Sequence, residues 1–129
     1  MSDEGLSAPD VRAFSLLSSA GRMAIGLGLL AAPELSLRAL GFTDVTPATV
    51  TVARIAGIRD FVLGGVTLGS LGDRERLLRA TIANTTADAG DAVAFALAAG
   101  NGERAAGLRG LAAALPATIA GVWVASRLS

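Results

Sequence analysis

Residues 110–125 read GLAAALPATIAGVWVA, sixteen positions in which Thr118 carries the one polar side chain. A helix built from them has no wet face, and a soluble helix needs one. Working outward, three further stretches are rich in Ala, Leu, Gly and Val, and each approaches the roughly 20 residues needed to cross a bilayer. The four predicted spans are 11–32, 48–71, 77–99 and 105–126, with 25–32 in the first unbroken by any polar group. Turn residues separate them: Pro33 and Pro47 bound the first link, Gly72-Asp73 marks the second and Gly100-Asn101-Gly102 the third. Short links put neighbouring helices antiparallel. The expectation is a single all-α domain over 1–129, an antiparallel four-helix transmembrane bundle.

Composition agrees. The chain is 52% hydrophobic and 17% charged, against about 25% charged in an ordinary soluble domain, and its mean hydropathy is +0.57. All eleven basic residues are Arg, and eleven acids balance them. A neutral chain has no electrostatic reason to seek nucleic acid. With no Cys, His or Tyr, thiolate and imidazole chemistry are excluded, so metal and redox cofactors are not expected. Proton transfer would fall to Asp, Glu, Arg, Ser, Thr or water.

The acidic segment from Met1 to Asp10 lacks a basic n-region, so it does not read as a cleaved signal peptide. Arg12, Arg74, Arg76, Arg79 and Arg127 fall on the side of both termini, and Arg38, Arg104 and Arg109 on the other. This excess places the termini in the cytoplasm. Trp123 is the single candidate interfacial anchor. Gly65-x-x-x-Gly69 and Gly121-x-x-x-Ala125 are spacings that allow close helix approach. A soluble bundle remains an alternative, because Ser15, Ser18, Ser19 and Arg22 form a polar stripe on the first helix.

The charges inside the spans carry most information. Span midpoints fall near Arg22, Arg59-Asp60, Asp88 and Pro116. At ~1.5 Å rise per residue, Arg54 lies about 9 Å outward of Asp60 and Asp91 about 4.5 Å outward of Asp88. Each charge at helix centre costs roughly 2.5 to 3.5 kcal/mol on the lenient scale, so the second span needs partners from the first and third. Thr81, Asn84, Asp88, Asp91 and Phe95 follow the 3, 4, 3, 4 step of one helix face, and Ser15, Ser19, Arg22 and Gly26 follow the same kind of step, 4, 3, 4. Arg54 shares a broad face with Gly57, Phe61, Gly64 and Gly65, whereas Arg59 points away from it. The candidate binding residues are Arg22, Arg54, Arg59, Asp60, Asn84, Asp88 and Asp91. Asp88 and Asp91, one turn apart, are the expected proton-titrating pair with Asp60; Arg22 and Arg54 are their counter-charges, and Asn84 orients water or ligand. Pro116 frees a carbonyl that, with Thr118, could line the same cavity.

The run from Gly21 to Gly26, GRMAIG, followed by Pro33 and by Leu40-Gly41-Phe42, resembles small four-helix membrane proteins of the DoxX-like kind. Residues 54–64 are similar to an R-x-x-G-x-R-D-x-x-x-G pattern of an uncharacterised actinobacterial relative of that group. The resemblance implies a bacterial inner-membrane protein with Arg22, Arg54, Gly57, Arg59 and Asp60 as defining positions. It links the group loosely to redox complexes, which the missing His and Cys oppose here.

The expected function is to bind or pass a small polar or amphipathic molecule, with or without proton coupling. Alternatives are a membrane-embedded acid–base enzyme (isomerase, cyclase or hydratase) and a scaffold subunit whose ion pairs only fix helix register. Expected partners are membrane lipids, a small-molecule ligand, and a second copy or another membrane protein.

Overall fold

The computed structural model describes residues 9–129, so the reading of the first eight residues lies outside the described part. The described chain is all-helical, with five helices and no strand: α1 Pro9–Ala31, α2 Pro33–Leu40, α3 Pro47–Gly69, α4 Arg74–Gly100 and α5 Arg104–Leu128. The four long helices lie within a few residues of the four apolar stretches. The extra element is α2, inside the link read as a turn between prolines. Pro33 starts this helix rather than only ending the previous one, because proline at the first helical position loses no intrahelical bond. Glu34 in the first turn and Arg38 in the last suit the helix dipole. Gly41, at φ +97°, closes α2 in the left-handed region, its N–H donating to the carbonyl of Arg38.

Caps fix where α3 and α4 begin. The Thr49 N–H donates to the Thr46 hydroxyl at 3.2 Å and the Thr46 N–H to the Thr49 hydroxyl at 2.8 Å, a reciprocal capping box with Pro47 behind it. The Asp73 carboxylate accepts from the Arg76 N–H at 3.0 Å.

The long helices pack as two close pairs, α1 with α3 and α4 with α5, while α3 and α4 touch sparsely. Small residues make the close pairs possible. A methyl group at Gly26 would stand 2.6 Å from the Gly57 carbonyl oxygen, and one at Gly64 2.8 Å from that of Ser19. Contacts therefore step up α1 as they step down α3. Gly107, Gly110 and Gly121 press in the same way on Ala99, Phe95 and Thr85 of α4. Gly65 and Gly69 face open space, so a close helix approach at Gly65-x-x-x-Gly69 is absent among the described residues.

The two pairs are tied at their ends. Val11, Leu77, Val124 and Leu128 form one apolar cluster, beside which Phe14 meets Trp123 edge-on at 6.2 Å and the Arg127 guanidinium stands 5.7 Å from the indole. At the other end Leu29, Leu37 and Ala53 cluster under α2, and Arg109 donates to the Ala39 carbonyl at 3.0 Å.

Burial is distributed in an unusual way. Nineteen large hydrophobic side chains are exposed among the described residues, Leu17, Leu35 and Ile119 at 70% or more, while Ser15, Ser19, Thr67, Ser70, Thr81 and Asp88 are buried. Two helices, α1 and α5, are long and apolar enough to cross a membrane. By that measure α3 and α4 differ from the four-span expectation, because Arg54, Arg59 and Asp60 interrupt the one and the charged first turns and Asp pair dilute the other.

Candidate functional site

The site begins with three helical stripes. On α3, Ala53, Gly57, Gly64 and Thr67 are buried, with Asp60 in step between them. On α4 Thr81, Asn84, Asp88, Asp91 and Phe95 share one face, and on α1 Ser15, Ser19 and Arg22 do; all eight line a single cleft between the two helix pairs. The cleft has a volume of about 770 Å³ and α5 gives it small apolar residues such as Ala114 and Ala117.

Five charged side chains form an unbranched string across it, acid and base alternating: Asp88, Arg22, Asp60, Arg59, Asp91. Arg22 donates through Nη1 to Asp60 Oδ1 at 3.0 Å and through Nη2 to Asp88 Oδ1. Asp60 Oδ1 also accepts from Arg59 Nε at 3.1 Å and Nη2 at 2.9 Å. Arg59 then grips Asp91 with both prongs, Nη1 to Oδ1 at 2.8 Å and Nη2 to Oδ2 at 2.7 Å. Such two-point contact fixes angle as well as distance. Exposure rises along the string: the Arg22, Asp60 and Asp88 side chains are 13–14% exposed, those of Asp91 and Arg59 31% and 36%.

Of the seven residues singled out from sequence, five join the string. Arg54 does not: it is exposed, lies outside the cleft, and forms no ion pair among the described residues. It sits one residue, about 100° of helix turn, beyond the buried Ala53. Arg59, expected to point away, takes its place, because a guanidinium on a long stem reaches back across that angle. Asp88 and Asp91 are not an isolated acid pair either, since each rests on a different guanidinium. Asn84 lines the cleft, but its amide N–H groups go to the Thr67 hydroxyl at 2.9 Å and the Ala80 carbonyl at 2.7 Å, so no hydrogen bond joins it to either carboxylate. Thr118 donates to the Ala114 carbonyl and lies outside the cleft, as does Ala112, whose carbonyl Pro116 leaves free.

Two contributors were missed. The Thr67 hydroxyl, held by the Leu63 carbonyl and by Asn84, belongs to the polar lining, and its place in the 4, 3, 4, 3 step from Ala53 was a usable signal. Phe42, brought in by the turn after α2, also lines the cleft. Compared against protein families, characterised proteins and solved structures, the chain matches none.

Proposed function

We propose that this chain is an antiparallel four-helix integral protein of the bacterial inner membrane, with both termini cytoplasmic and of the DoxX-like kind, that binds or passes a small amphipathic molecule in the cleft between its helix pairs. The observation that carries the reading is an apolar-walled cleft of about 770 Å³ crossed at mid-height by the Asp88, Arg22, Asp60, Arg59, Asp91 string. Its volume falls within the range of small-molecule sites, about 300 to 1,000 Å³. Polar groups inside and bare Leu, Ile and Val outside suit lipid as the outer solvent.

The string also ties α1, α3 and α4 together where α3 and α4 otherwise touch little, which favours a second, register-setting role. Binding and register-setting are compatible, because the cleft is left beside the string rather than filled by it.

The chain has no cysteine of its own, so single-cysteine labelling is unambiguous. In native membranes Ala117→Cys, in the cleft, is expected to react with a small charged methanethiosulfonate reagent, and Ile119→Cys, on the outer face, is expected to be protected by lipid. Equal reaction at both positions overturns the membrane placement. An inert Ala117→Cys overturns the open cleft.

A further inference from the structure

Counting charge along the string leaves a remainder. Three carboxylates meet two guanidiniums, and among the described residues no other charged side chain lines the cleft: α5 and α2 bring none, and Arg54 on α3 lies outside. The string thus carries one negative charge in surplus, and a surplus charge held away from water is costly unless something positive joins it.

The geometry shows where it would join. Asp60 and Asp88 bind their guanidiniums through Oδ1 alone. Among the described residues no side-chain oxygen is both buried and unpartnered. Since both residues line the cleft, the second oxygen of each is open to it. A bare metal ion fits poorly, for hard cations need several oxygens converging on one point, and the guanidiniums keep the carboxylates apart so that no acidic group of three could hold one among the described residues. The remaining walls are mostly Ala, Leu, Ile and Val with Phe14, Phe42 and Phe95, interrupted by uncharged Ser, Thr and Asn side chains such as Ser15, Ser19, Thr67 and Asn84. Aromatic faces attract a desolvated cation, and apolar walls take its hydrocarbon body.

We infer that the cleft selects a lipophilic organic monocation, whose positive charge sits at the open oxygens of Asp60 and Asp88. This rests on the proposed ligand-binding role of the cleft and adds the sign and class of the ligand. The charged groups facing the cation are Arg22 from α1, Arg59 and Asp60 from α3, and Asp88 and Asp91 from α4.

Tetraphenylphosphonium and tetraphenylborate share shape and apolar surface and differ in sign, which makes them a matched pair of probes. Titrated calorimetrically into the full chain in phosphatidylcholine nanodiscs, with empty discs subtracted, the phosphonium is expected to bind saturably. The borate is expected not to saturate. Asp88→Asn removes the surplus and is expected to weaken the phosphonium at least about tenfold. Asp91→Asn, at the more exposed end of the string, removes the same charge with less risk to folding and is expected to do likewise. Saturable borate binding, or phosphonium affinity unchanged in Asp91→Asn, overturns the cation assignment and leaves the cleft standing. Absence of saturable phosphonium binding also overturns it; an inert Ala117→Cys in the same discs shows that the cleft reading has failed with it.

Discussion

Asp60 is the keystone of the polar string, because one of its oxygens accepts from both guanidiniums. Removing one partner from a buried ion pair costs about 3 to 5 kcal/mol, since the other charge is left uncompensated. Asp60→Asn strands parts of Arg22 and Arg59 together and is expected to lose stability on that scale, read as a lowered thermal transition of the detergent-solubilised protein. Arg54→Gln is the contrast: an exposed residue without an ion pair among the described residues is expected to change stability by no more than about 0.5 kcal/mol. The same pair of residues shows what sequence could and could not give. Fixed helical rise made the depth of Arg22, Asp60 and Asp88 legible, and opposite signs at one depth made their meeting predictable. Choosing between Arg54 and Arg59 was not possible from angular position, because the reach of an arginine stem exceeds the offset between adjacent helix faces.

At the scale of the helix, glycine decides which faces touch. Gly57 lies under Gly26, where a methyl group would stand 2.7 Å from the carbonyl oxygen, while Gly65 has nothing within 4 Å. Gly57→Ala is expected to force α1 and α3 apart at about 1 to 3 kcal/mol, whereas Gly65→Ala is expected to be neutral or slightly stabilising; parallel thermal melts of the two variants test this. Helix limits were legible because apolar runs end at Gly, Pro and Asp with clear capping roles. The pairing was less so: Gly65-x-x-x-Gly69 reads as well as any small-residue motif, and only backbone proximity separates it from Gly26, Gly57 and Gly64. The eight-residue α2 escaped because it is too short for an apolar period and its Pro33 reads equally as an end or a start.

For the molecule as a whole, the exposure of large apolar side chains around a partly polar interior is the governing feature. Ser, Thr and Asp side chains are buried while Leu, Ile and Val side chains are exposed, a distribution that supports the proposed membrane placement. The all-helical class was legible from the long apolar runs, while the cleft was not, because two close helix pairs that touch each other sparsely leave no periodic trace in sequence. The proposed placement is tested most directly by washing native membranes with alkaline carbonate and then with plain buffer or mild detergent. The account predicts that the chain stays in the membrane pellet through the carbonate and buffer washes and dissolves, still helical, in detergent alone. Release into buffer as a folded, dispersed helical protein would contradict it.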